Sequence, residues 1–120
     1  MEDILESQVK KPCYEHLEEL ENQGKLVFVR NNTFKGVVVR PGGSRGYLNT
    51  GRTGSPDCFV FCQDKRSGEP VTLHIEYKRP VGGKLSPDQI KWRDVVVQWG
   101  HDWYEIRDVE ELKLVLSKYV

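Results

Sequence analysis

The sequence predicts an α/β domain whose mixed central sheet is flanked by helices, with elements in the order α-β-β-β-β-α-β-α. Three observations point there. Apolar residues recur at three- and four-residue steps near the start of the chain, short β-branched runs fill the middle, and a capped helix stands between the last two strand patterns.

Taken in order, residues 3 to 22 carry Leu5, Val9, Cys13, Leu17 and Leu20 at helical spacing, and Gly24 ends the run. Pro12 lies inside it. An interior proline removes one backbone bond and crowds the preceding turn, so a kink there, or a later helix start, is expected. Leu26 to Arg30 and Gly36 to Arg40 read as short strands on either side of the turn-prone Asn31-Asn32. Residues 41 to 56, with Pro41-Gly42-Gly43 and Thr53-Gly54-Ser55-Pro56, read as loop.

Cys58 to Cys62, apolar on both faces, reads as a central strand, and Asp64 to Pro70 supplies turn chemistry around Ser67-Gly68. Val71 to Lys78 alternates, so Leu73, Ile75 and Tyr77 share one face while His74, Glu76 and Lys78 share the other. Ser86-Pro87-Asp88-Gln89 combines an N-cap, a first-turn proline and the Gln of a capping box, and the helix it opens runs to Trp99 before Gly100. Trp92 and Trp99, at helical spacing, read as core. Asp102 to Ile106 is the last strand, and Asp108 caps a final helix through about Lys118.

A chain of 120 residues holds one core, so residues 1–120 are expected to form one domain. No apolar run approaches the roughly 20 residues that cross a bilayer. The acidic start Met1-Glu2-Asp3 also lacks the basic region of a secretory signal, which leads to the expectation of a cytoplasmic protein without a membrane partner. Cys13, Cys58 and Cys62 cannot all pair internally, and no second ligand pair completes a zinc site, so they read as buried, reduced thiols.

The 18 basic and 18 acidic residues balance, but not locally. Residues 1 to 24 hold 2 basic and 7 acidic side chains, whereas residues 25 to 56 hold 6 basic and none acidic. That acid-free segment carries Arg30, Lys35, Arg40, Arg45 and Arg52 among glycines, the makeup of a surface that meets a polyanion. A solvated loop answering the acidic first helix would have the same composition.

Asp57 heads the apolar strand, and Glu76 and Lys78 share one face of the next. A hairpin centred near residue 67 sets residue 57 opposite about residue 77, so two carboxylates and an ammonium converge at one end of the sheet. Like charges are costly to bury together, and a hard divalent cation relieves that cost. On the first helix, at about 100° per residue, Glu6 falls only about 40° from the centre of the apolar stripe, while Glu15, Glu18, Glu19 and Glu21 fall at least about 100° away.

Gly54-Ser55-Pro56-Asp57, then Glu76-Tyr77-Lys78, then Gly83-Lys84-Leu85-Ser86-Pro87-Asp88-Gln89 resembles the PD-(D/E)xK nuclease superfamily, and within it the virus-type replication-repair nuclease (VRR-NUC) family, in its small stand-alone phage and bacterial type. The likeness runs over nearly the whole chain and implies a restriction-endonuclease-like core. It makes Asp57 and Glu76 metal-binding carboxylates for Mg2+ or Mn2+, adds the Tyr77 backbone carbonyl to the metal's shell, and has Lys78 orient the attacking water. Glu6 would assist at the metal, and Gln89 would sit beside the site as well as capping its helix. The implied activity is metal-dependent hydrolysis of DNA phosphodiesters, directed at branched or structured DNA in the manner of a Holliday-junction resolvase. A homodimer would suit a two-fold junction, in a bacterial or phage-infected cell. A noncatalytic nucleic-acid-binding module on the same fold is the alternative.

Overall fold

The computed structural model describes residues 4–32 and 34–120, apart from the side chains of residues 34–36 and 48–50. Helix α1 (Glu6–Asn22) is followed by five strands, β1 (Val27–Arg30), β2 (Phe34–Val39), β3 (Arg45–Thr50), β4 (Cys58–Gln63) and β5 (Pro70–Tyr77). Then come α2 (Pro87–Gln98), β6 (Asp102–Ile106) and α3 (Val109–Leu116). The sheet runs β1-β4-β5-β6, with β1, β4 and β5 antiparallel and β6 parallel to β5. The sheet is therefore mixed, and β4 is central, as its doubly apolar sequence suggests.

The element order differs from the expected one by a strand. Arg45–Thr50, inside the segment read as loop, pairs with β2 in a separate hairpin. Gly42 and Gly43, at φ 94° and 87°, reverse the chain there, and the Arg40 N–H donates to the Ser44 carbonyl at 2.8 Å. Among the described residues, β2 and β3 pack only on each other. A lone hairpin gains little from its own pairing.

Pro12 does not delay α1, which starts six residues before it, at Glu6. The start is fixed by Gln8, whose Oε1 accepts the Leu5 N–H at 2.7 Å. Val9, Cys13, Leu17 and Leu20 turn inward as their spacing predicts, whereas Leu5 caps the helix and is 56% exposed. With Leu112 and Leu116 of α3 they cover the sheet face made by Cys58, Val60, Leu73, Ile75 and Tyr77. Burying one such side chain contributes about 1.5–3 kcal/mol. The three cysteines are free; Cys13 and Cys58 are buried and Cys62 is half-buried. Burial pushes the Cys13 and Cys58 thiols up to about 12 and Cys62 to about 11, so they stay protonated and inert.

On the opposite face, among the described residues, α2 packs on β6 and reaches β5 through its side chains. Its Trp92 Nε1 donates to His74 Nδ1 at 3.2 Å, and His74 packs edge-on against Phe59. Beyond α2 the face is open: Val27, Val29 and Phe61 are 56%, 51% and 46% exposed. Trp99, expected in the core, is 71% exposed. Helical periodicity assigns both tryptophans to one side of α2, but only Trp92 reaches the sheet.

Candidate active site

The hairpin between β4 and β5 sets the site's register. Its loop is closed by Asp64, whose N–H donates to the Glu69 carbonyl at 2.9 Å and whose Oδ1 accepts the Arg66 and Ser67 N–H groups, each at 2.9 Å. The loop therefore centres between residues 66 and 67, and Cys58 lies opposite Ile75. Asp57, one step beyond, is level with Glu76 rather than with residue 77, which shifts the expected pairing by one and turns both carboxylates to the same face.

Asp57 is held from several sides. Its Oδ2 accepts the Tyr77 N–H at 2.7 Å, and its carbonyl accepts the Asn31 N–H at 2.8 Å. The Asn31 side chain donates in turn to Ser55 Oγ at 2.8 Å and to the Pro56 carbonyl at 2.9 Å, and Pro56 is fully buried. Gly54, at φ 87°, lies so close to the first turn of α2 that a Cβ there would stand 2.4 Å from the Asp88 carbonyl oxygen. Only glycine lets this loop press on α2 and deliver Asp57 to the sheet.

Glu76 is 3% exposed. Its Oε1 accepts from Gln89 Nε2 at 2.9 Å, while Gln89 Oε1 accepts the Ser86 N–H at 2.8 Å, so the capping residue of α2 also orients the buried carboxylate. Burial first, and then the neighbouring Asp57 carboxylate, push the Glu76 carboxyl up to about 9, against the opposing pull of Lys78. Lys78 Nζ lies 4.0 Å from Glu76 Oε1 and 4.0 Å from Glu6 Oε1. Glu6 thus joins the cluster, although its side chain is 41% exposed rather than turned into the core.

Lys10 also belongs to the cluster, and no sequence motif marks it. Its Nζ bridges Glu6 Oε2 at 3.2 Å and Asp57 Oδ1 at 3.3 Å. Burial opposes its charge, but Asp57 and Glu6 outweigh that and hold the ammonium above its ordinary range. The i,i+4 spacing from Glu6 is the one signal the sequence carries for it. The ammonium neutralises two carboxylates where a cation would otherwise do so.

The donor chemistry fits a hard divalent cation. Two carboxylates lie level on adjacent strands, and the Tyr77 carbonyl shares the strand edge of the N–H that meets Asp57. Among the described residues no three His, Cys, Asp or Glu side chains form a ready cage. Magnesium needs none, since one or two carboxylates with waters suffice for it.

Arg30, Arg40, Arg45 and Arg52 of the acid-free segment are not gathered in one place. The Arg30 guanidinium lies 3.8 Å above the Tyr14 ring, at the mouth of a cleft that Lys10, Asn31 and Asp57 also line. Arg40 and Arg45 stand at the tip of the β2–β3 hairpin, where Arg40 Nη1 donates to the Arg45 carbonyl at 3.3 Å. Arg52 faces α2 instead. The Lys35 side chain lies outside the described residues.

No protein-family model matches the sequence, and no curated protein does. Among solved structures, a VRR_NUC domain superposes with a TM-score of 0.61 at 19% identity, over 96% of this chain and 97% of that one. The chain has the fold of that nuclease domain. Among the described residues, no helix is long and apolar enough to cross a membrane.

Proposed function

We propose that this chain, built as a single domain on the fold of a VRR_NUC domain, is a divalent-metal-dependent endonuclease that hydrolyses DNA phosphodiesters, preferentially in branched DNA. One observation carries the reading: Asp57, Glu76 and Lys78 converge at the end of β4 and β5, with Glu76 buried beside a second carboxylate. Such a pair is unfavourable without a cation. Asp57, Glu76 and the Tyr77 carbonyl would hold Mg2+ or Mn2+, which, when bound, neutralises phosphate charge and acidifies its water.

The chain's own groups do the rest. The Tyr77 N–H fixes the Asp57 rotamer, and Gln89 fixes that of Glu76. Lys78, with 13% of its side chain exposed, brings positive charge to the site, where it stabilises the phosphate's developing charge and orients the attacking water. Glu6 acts through its ion pairs with Lys78 and Lys10.

Arg40 and Arg45 then bind phosphates from the hairpin tip, a two-stranded ribbon being an element the DNA major groove admits. Neutralising either arginine should flatten the slope of log affinity against log salt by about 0.9 for each phosphate that the variant no longer binds. Unchanged slopes in both variants would remove the hairpin from the DNA track. The open sheet face around Val27, Val29 and Phe61 supports a homodimer, which would match the two-fold symmetry of a four-way junction.

The Lys10 bridge favours a second reading, a noncatalytic DNA-binding module in which an ammonium permanently replaces the cation. Incubation with labelled four-way junction, flap, nicked, single-stranded and linear duplex DNA in Mg2+, Mn2+ or EDTA separates the two. The nuclease reading expects EDTA-sensitive incision, with branched DNA cut ahead of linear duplex. Binding without incision under either metal would leave the module.

A further inference from the structure

A groove of about 610 Å3 runs between the loop at Arg52-Thr53 and α2, outside the carboxylate cluster. Four of its lining residues, Asp88, Trp92, Val95 and Trp99, follow one stripe of the helix at four-, three- and four-residue steps. The two tryptophans form unlike walls. Trp92 is fixed by its bond to His74, whereas Trp99 ends the helix and is 71% exposed, a poor use of a large apolar side chain unless something covers it. Arg52 and Lys91 stand on the lining against the one carboxylate of Asp88, so the groove offers aromatic surface with a net positive charge, and its volume is that of a small-ligand site.

We infer that this groove binds an unpaired nucleotide of the DNA strand, with the base stacked on Trp99 and its phosphates met by Arg52 and Lys91. Base–aromatic stacking with backbone cations is how single strands are held without sequence readout. The inference rests on the nuclease reading and extends it to the substrate, because branched and flapped DNA carry the unpaired nucleotides that duplex lacks. Position supports it as well. Trp99 lies ten residues from Gln89, about 15 Å along the helix axis, and the same loop that walls the groove leads to Asp57. A second copy of the chain is the competing occupant, but the two cations and the continuity with the site favour the nucleotide.

The test is binding of oligo(dT) in EDTA to the Asp57→Asn protein, followed by tryptophan fluorescence. Oligo(dT) should quench the emission. Trp99→Ala should remove most of that quench and weaken oligo(dT) binding on the order of tenfold, with blunt duplex affinity unchanged and Trp99→Phe restoring most of the loss. A quench that survives Trp99→Ala, or an equal loss on oligo(dT) and duplex, overturns the inference. So does a Trp99→Ala protein that sediments as a smaller species than its parent, because the groove then holds a second copy. Binding is read without cleavage, so the outcome does not depend on whether the protein is a nuclease.

Discussion

Asp57→Asn should lower Mg2+-supported cleavage by about a thousandfold or more while leaving DNA affinity within a few-fold of the parent. The substitution keeps the volume of the side chain, and asparagine's oxygen can still accept the Tyr77 N–H that Asp57 Oδ2 accepts at 2.7 Å. It removes the charge that, with Glu76, would hold the metal, and also the partner of Lys10 at 3.3 Å. The basic residues of the hairpin are untouched, which is why binding and cleavage should separate. Single-turnover rates on a labelled junction, beside filter binding of the same DNA, measure both. Turnover near that of the parent would remove Asp57 from the chemistry.

Glu76→Gln should abolish cleavage too, and in metal-free solution it should remove the fall in stability with rising pH that the buried carboxyl causes. The folded-state carboxyl titrates near 9, against 4.5 for the free group. Between those values the folded chain keeps a proton that the unfolded chain has lost, so wild-type stability is fullest below about 4.5 and falls as pH rises toward 9. A carboxylate in a favourable ion pair behaves in the opposite way. Glutamine carries no proton to lose and can still accept from Gln89, so the variant should melt above wild type at pH 8 in EDTA, by about 4 °C for each kcal/mol relieved. Adding Mn2+ should raise the wild-type melting temperature and leave the variant's unchanged. Parallel pH profiles for the two proteins in EDTA would mean that Glu76 is not strained, and the argument for a cation would lose its basis.

How much of this can be read from the chain depends on how local each signal is. Asp57, Glu76, Lys78 and Gln89 stand in short motifs whose spacing is read directly, and a hairpin of known length brings the first three together to within one residue of register. The one-residue difference comes from the turn, because Asp64 closes the loop from its first residue and moves its centre. Strand β3 is hidden because Gly46 and Asn49 interrupt any β-branched run, and among the described residues it pairs with β2 alone. Lys10 is visible as a partner for Glu6, but its reach to Asp57 depends on how α1 lies against the sheet. The exposure of Trp99 depends on where the sheet ends beneath α2. Periodicity along a helix carries no information about the width of what it covers.

The central claim is that Asp57 and Glu76 share a divalent cation, and Mn2+ soaked into crystals of the wild-type chain tests it most directly. An anomalous-scattering peak within coordination distance of both carboxylates and the Tyr77 carbonyl, with Lys10 displaced from Asp57, is the expected result. A Lys10 that keeps its bridge to Asp57 at saturating Mn2+, with no peak between the two carboxylates, would contradict the account and leave a DNA-binding module whose own ammonium has taken the metal's place.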